Sequence, residues 1–482
     1  MAKSRKILFV AAEGLPYIKS GGLADVIGSL PQALADEGYE VSVVLPLYSK
    51  IIAKFFDQLE LVGTYVVKAA KFDTTTRLFS QKHKDVTFYF IEHAGYFERD
   101  GLYGYGDDGE RFAFFQHAVY QIMMQRKDYP DVLHNHDWHT GMMAALARIR
   151  YASNKEIVKI RQIYTIHNLA FQGNFEADLL YSALELPMSL YHDGTLRFHN
   201  GISYMKAGIV FSDKISTVSN TYATEILGQA FGENMDSVLR ERQHDLWGIV
   251  NGIDIESNDP KTDPIIFENY DVNSLEKKVK NKTGLQQQLG LRVSEDVCLV
   301  GLVSRLTWQK GINLILNKLK DIMGLDIQLV ILGTGEQQYE YDLRNSENMY
   351  KRRMVYYGGY SDEVARKIYA GADLFLMPSM FEPCGISQLI SMRYGTLPVV
   401  RETGGLKDTV EPYNQFEHKG TGFSFYNFDP EDFFHVLRMA VDLYYLNQKD
   451  FKMLQTNAMN VDVSWKKSAK LYIQMYQQAG MK

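Results

Sequence analysis

Two stretches, one in each half of the chain, repeat an alternation of unbroken apolar runs with helical periodicity, and this constrains the fold more than any other feature. Residues 6–12 read as a continuous apolar strand and 19–23 as a Gly-containing loop. Residues 24–37 carry apolar side chains at helical spacing, with Pro31 as a possible kink and Gly38 as a stop, and 41–45 form a second apolar strand. Strands that are apolar on both faces need cover on both faces. Strand, helix, strand in that order therefore implies a parallel sheet between layers of helices. The pattern returns with strands at 298–304, 327–332, 374–378 and 397–400 and helices at 312–323, 362–370 and 386–394. The expected fold class is α/β, with two doubly wound, Rossmann-like domains.

The boundary falls near Val250-Asn251-Gly252-Ile253-Asp254, followed by a polar connector at 257–264 with two prolines. Residues 1–250 and 251–460 are the two expected domains, and 461–482 ends the chain with an amphipathic helix at 465–478. A net charge of -6 argues against a nucleic-acid binder. Two cysteines, Cys298 and Cys384, are too few for a disulfide framework and suit a reducing compartment. The basic start from Met1 to Lys6 precedes an apolar run that meets Glu13 early, so it reads as a first strand rather than a secretory signal. No apolar run reaches 18 residues, and a cytoplasmic enzyme is the expectation.

Six motifs carry possible chemistry, and each has a plainer alternative. Lys19-Ser20-Gly21-Gly22-Leu23 opens a helix with paired glycines, as a phosphate loop does, or is a tight turn with a surface lysine. His134-Asn135-His136-Asp137-Trp138-His139 suits sugar recognition, with a carboxylate for hydroxyls and an indole for stacking. A buried polar cluster, or a metal site using His134 and His136 on one strand face, are its other readings. Tyr164-Thr165-Ile166-His167-Asn168 places a histidine at a strand end, where ligands bind in open α/β sheets.

In the second half, Arg305 and Lys310 stand five residues apart at a strand-to-helix turn, able to converge on a diphosphate or to lie on the surface. Phe381-Glu382-Pro383-Cys384-Gly385 offers a carboxylate for hydroxyls, or compensation of a helix dipole. Arg401-Glu402-Thr403-Gly404-Gly405 is a second Gly-Gly turn opening a helix.

Taken together, these motifs resemble the bacterial glycogen synthase and plant starch synthase family. The resemblance rests on Lys19 to Val26, Asp137-Trp138-His139-Thr140, Thr165-Ile166-His167-Asn168, Asn251-Gly252-Ile253-Asp254, Ser304 to Gly311, Glu382-Pro383-Cys384-Gly385 and Thr403-Gly404-Gly405-Leu406, in the family's order over nearly the whole chain. It implies the GT-B architecture, two Rossmann-like domains facing across a deep cleft, with the C-terminal helix crossing back to the first domain. The implied reaction is transfer of glucose from ADP-glucose to the non-reducing end of an α-1,4-glucan, with retention of configuration and with no metal or other cofactor. The same reaction with UDP-glucose, or a catalytically silent glucan-binding relative, are the alternatives.

By the same resemblance Lys19, His167, Arg305, Lys310 and Glu382 form the catalytic set. Gly21, Gly22, Asn251, Tyr360, Cys384, Gly385, Thr403, Gly404 and Gly405 would bind the donor, and Asp137, Trp138, His139 and Asn168 the acceptor. The chain departs from the family at Asn234, where glycine is common; asparagine also tolerates positive φ.

Overall fold

The computed structural model describes residues 5–481. Met1 to Ser4, which begin the basic N-terminal stretch and the first expected domain, and Lys482 lie outside the described residues. The chain divides into two compact units, Met1–Asn251 with Trp465–Lys482, and Gly252–Ser464. Each has its own apolar core. Among the described residues no helix is long and apolar enough to cross a membrane.

The first unit is built on a nine-stranded sheet. Its order is Leu246–Gly248, Lys214–Thr217, Arg161–Ile166, Val132–His136, Lys6–Val10, Glu40–Pro46, Val86–Ile91, Phe72–His83, Glu60–Ala69. The first seven run parallel, and the last two add an antiparallel hairpin at one edge. The hairpin does not follow from an apolar-run criterion, because Glu60–Ala69 is largely exposed and only Val67 and Ala69 of its residues are buried. The helix Gly22–Asp36 keeps Pro31 buried inside it, and Gly38 just beyond its end has a φ of 92°. Asn234 has a φ of 63°, the conformation its amide side chain was expected to tolerate. The helix Lys466–Gln478 belongs to this unit: Tyr476 Oη lies 2.8 Å from His134 Nδ1, and Ser468 Oγ donates to the carbonyl of Val250 at 2.5 Å.

The second unit holds a six-stranded parallel sheet in the order Met354–Gly358, Ile327–Gly333, Cys298–Val303, Leu374–Met377, Leu397–Arg401, Phe423–Phe425. In chain order this is 3-2-1-4-5-6, the doubly wound order whose direction of winding reverses between the first and fourth strands. The central strands are buried along their whole length, as runs such as Ile327–Gly333 require. The α/β expectation is met in both units, each built on a doubly wound, mainly parallel sheet.

Candidate functional site

In an open parallel sheet, ligand groups gather beyond the strand C-termini where the winding reverses, because neighbouring connections part there and leave a crevice. In the first unit that point lies between Lys6–Val10 and Val132–His136. Glu13, three residues past the first of these strands, is buried and accepts hydrogen bonds from the backbone amides of Ser20 and Gly21. It thereby ties the Lys19–Gly22 loop to the strand end. Burial pushes the Glu13 carboxyl above the usual carboxylate range, while the two loop amides pull it back. Lys19 reaches Asp25 at 2.8 Å, and the Ser20 hydroxyl meets that of Tyr103. Gly21 caps the helix Gly22–Asp36 without a side-chain acceptor, leaving the positive end of the helix to its backbone amides.

The register between Val132–His136 and Arg161–Ile166 sets the next group. His136 lies opposite Thr165, so Asp137 and His167 leave the sheet side by side. Asp137 donates its amide to the Thr165 carbonyl at 3.0 Å and accepts the His167 amide on Oδ1 at 2.8 Å. Its backbone, at φ 54° and ψ -177°, occupies a region essentially reserved for glycine, a strain of order 1–3 kcal/mol that these two bonds help to hold. Burial drives the Asp137 carboxyl up to about 7. His136 Nδ1 and His167 Nε2 are 2.9 Å apart, so one donates and the other accepts, and Phe9 stacks on the His136 ring. His167 is brought down to about 3 by burial and is neutral near pH 7. Asn168 Oδ1 accepts the Ala170 amide at 3.0 Å.

Two expectations for this unit meet physical obstacles. Trp138 is only 8% exposed: His139 stacks on it at 3.9 Å, and Phe112 and Phe175 pack around it. With His139 also buried, and Tyr103 and Phe112 against its ring, neither residue offers an open ring face to a sugar. The metal reading of His134 and His136 fares no better. Both ring nitrogens of His134 are engaged, Nδ1 with Tyr476 Oη and Nε2 with Thr165 Oγ1 at 2.6 Å, and Thr165 continues to Ser216. The histidines belong to a buried polar chain that ties the C-terminal helix to the sheet.

The buried histidines of this unit predict a pH response. His117, His134, His136 and His139 are all fully buried, and burial depresses all four pKa values, His117 to about 4 and His139 to about 3. A depressed histidine contributes its full stability above its unfolded pKa of about 6.5 and loses it as pH falls below that value. At pH 5 His117 and His139 each cost about 2 kcal/mol, and His134 and His136 act in the same direction. Asp137, raised to about 7, acts in the opposite sense, but it is one carboxyl against four imidazoles. Calorimetry should show the first unit melting well below its pH 7 midpoint at pH 5; a midpoint unchanged across that range contradicts the buried neutral histidines.

In the second unit the reversal point lies between Cys298–Val303 and Leu374–Met377. Arg305 stands exposed just past the first strand. The turn Trp308–Lys310 then delivers Lys310 to the segment beyond the second strand, where its Nζ lies 2.5 Å from Glu382 Oε2. Ser379 Oγ donates to the same oxygen at 3.1 Å, and Glu382 is buried. Backbone bonds clamp the two segments: Met380 donates its amide to the Gln309 carbonyl at 2.8 Å. Gly311 makes this approach possible, since at φ 72° its Cβ position lies 2.0 Å from the Pro378 carbonyl oxygen.

The 381–385 segment is held from beneath by Gln388, whose amide nitrogen donates to the carbonyls of Cys384 and Gly385, each at 3.0 Å. Cys384 itself is buried. Thr403 and Gly404 open the helix Gly404–Thr409 against this segment, and the Gly405 amide donates to the carbonyls of Glu382 and Pro383, both at 3.1 Å. Gly405 therefore spends its amide on the loop rather than on a phosphate. Tyr360, after Gly358 and Gly359, is 69% exposed. Asn251 is buried at the end of the first unit, its Oδ1 without a hydrogen-bond partner.

The structure thus gathers Lys19, Gly21 and Gly22 at one strand end, and Asp137, His167 and Asn168 at the next two. It gathers Arg305, Lys310, Glu382, Cys384, Gly385 and Thr403–Gly405 around the reversal point of the second sheet. Sequence reasoning missed Glu13, Ser379 and Gln388. The signal for Glu13 was present as the carboxylate that ends the apolar run 6–12; Ser379 and Gln388 carry no signal apart from the fold.

The description "Starch synthase catalytic domain" matches residues 6–241, and "Glycosyl transferases group 1" matches 287–458. A glycogen synthase of Clostridioides difficile is 45% identical over 98% of this chain and 99% of its own length. One from Exiguobacterium sibiricum is 46% identical over 98% of both. The catalytic domain of starch synthase IV from Arabidopsis thaliana, solved with ADP and acarbose, superposes with a TM-score of 0.91 at 31% identity, covering 99% of each chain. A sucrose-phosphate synthase from Thermosynechococcus elongatus shares the fold, with a TM-score of 0.61 at 15% identity over 98% of each chain.

Proposed function

The chain belongs to the glycogen and starch synthase family of glycosyltransferases, and we propose that it transfers glucose from ADP-glucose to the non-reducing end of an α-1,4-glucan with retention of configuration. The observation that carries this reading is the Lys310–Glu382–Ser379 group at the reversal point of the second sheet. It combines a cation suited to a diphosphate with a buried carboxylate suited to sugar hydroxyls. The ADP in the 31%-identical starch synthase structure supports adenine over uracil, ADP being what ADP-glucose leaves after transfer.

In this reading Arg305 and Lys310 take up the charge of the departing diphosphate, with Thr403 and Gly404 at a helix N-terminus beside it. Glu382 and the backbone of Cys384 and Gly385 hold the glucose hydroxyls, and Tyr360 stacks on the base. Lys19, Gly21 and Gly22 serve the donor's charged groups. Neutral His167 offers hydrogen bonds to the donor glucose, while Asp137 and Asn168 address the acceptor. Trp138 and His139 act by supporting Asp137. No group stands out as a nucleophile, so displacement from the front face accounts for retention: the glycosidic C–O bond to phosphate breaks, the acceptor 4-hydroxyl bonds to the anomeric carbon from the same face, and its proton passes to the leaving phosphate.

The test is incorporation of labelled glucose into glycogen from ADP-glucose and from UDP-glucose, each with and without chelator. Incorporation from ADP-glucose that survives the chelator is the expected result. Incorporation from UDP-glucose alone keeps the reaction and replaces the donor, and glucan binding without incorporation from either donor overturns the enzymatic reading.

A further inference from the structure

The second sheet has another end. At the N-terminal ends of its strands, away from the groups described above, lies a cavity of about 460 Å³ lined by Arg292, Lys351, Arg352 and Arg353, with Asp326 as its one carboxylate. Four cations facing one acid is a marked local excess in a chain whose net charge is -6.

The cluster has a built floor. Arg353 is fixed by its guanidinium, which donates to the carbonyl of Leu325 at 2.6 Å and to that of Ile327 at 3.3 Å. Arg352 is held at φ 62°, a left-handed conformation uncommon for arginine, and its carbonyl accepts the Arg292 amide at 3.0 Å. The Arg292 carbonyl in turn accepts from the amide of buried Gln328 at 2.6 Å. These bonds bring two distant segments, 292 and 351–353, to the two sides of one cavity, leaving the side chains of Arg292, Lys351 and Arg352 uncommitted while that of Arg353 is spent on the floor. Among the described residues, Arg292, Lys351 and Arg352 make no ion pair.

Unpaired like charges held together repel one another, and a small anion relieves that repulsion. Arginines in particular match the oxygen spacing of phosphate. The volume exceeds what orthophosphate needs and falls in the range of small-molecule sites. We propose that this cavity is a second binding site, for a small phosphorylated anion of the size of a sugar monophosphate, distinct from the group around Lys310 and Glu382.

The test is calorimetric titration of the full chain at low salt with ribose 5-phosphate and, separately, with orthophosphate. One saturable site for ribose 5-phosphate is expected, unchanged in Lys310→Ala and weakened roughly tenfold or more in Arg292→Ala/Arg352→Ala. Tighter binding of the sugar phosphate than of orthophosphate supports an ester ligand; equal binding keeps the anion site and removes the sugar from the proposal. Both arginines are exposed, so the double variant should keep the wild-type melting midpoint, and Lys351→Glu provides a second test through charge reversal. Absence of saturable binding, binding undiminished in the arginine variant and in Lys351→Glu, or binding abolished by Lys310→Ala overturns the proposal. Because the readout is binding and not turnover, failure here leaves the glucosyltransferase reading untouched.

Discussion

Lys310→Ala should lower turnover with ADP-glucose by about 10²–10³-fold, the cost of removing one preorganised charge from a developing anion. The substitution also strips Glu382 of its cation at 2.5 Å, and that carboxylate is buried. An uncompensated buried charge costs about 3–5 kcal/mol, and the pair's residual exposure places Lys310→Ala toward the lower end. Loss of activity and loss of stability are therefore both expected, and they can be separated. Adding Glu382→Gln to Lys310→Ala removes the orphaned charge while Ser379 still has an oxygen to donate to. The double variant should regain most of the melting midpoint and none of the turnover. Wild-type-like turnover in Lys310→Ala would refute the lysine's role; recovery of activity along with stability would show that the lysine matters only for folding.

How much of this was legible in the sequence depends on whether a contact is local. Strands such as Lys6–Val10, Cys298–Val303 and Leu374–Met377 were legible because a strand covered on both faces favours an unbroken apolar run, whereas the equally buried Val132–His136 carries His134, Asn135 and His136 and gives no such run. The edge hairpin Glu60–Ala69 and Phe72–His83 was not, since an exposed edge relaxes that demand. At the site, Arg305, Lys310 and Glu382 were legible as residue types beyond strand ends. Their meeting was not, because it depends on the sheet placing strand four beside strand one, 72 positions away along the chain for the Lys310–Glu382 pair. Trp138 shows the opposite error. An indole beside a carboxylate is a reasonable sugar platform until Phe112 and Phe175, from distant segments, are found packed against it.

Gly405→Ala should be nearly as damaging as Lys310→Ala, although it changes no charge and removes no side-chain group. A Cβ at this position would lie 2.1 Å from the Cys384 carbonyl oxygen and 2.4 Å from the Cys384 Cα. Both are backbone atoms and cannot rotate away, so the two segments must part by about an ångström to reach ordinary contact. Parting them breaks the bonds from the Gly405 amide to the carbonyls of Glu382 and Pro383, which set the height of the Glu382 carboxylate above the strand end. A displacement of that size in a catalytic group costs on the order of 10²-fold in rate. The strain itself should destabilise the second unit by about 1–3 kcal/mol. Gly106→Ala is the matched control, since nothing lies within 4 Å of its Cβ position, and it should be silent in both assays. If Gly405→Ala turns over at the wild-type rate, the close packing of the 382–384 and 404–405 segments does not set the position of Glu382, and the carboxylate must be held by Lys310 and Ser379 alone.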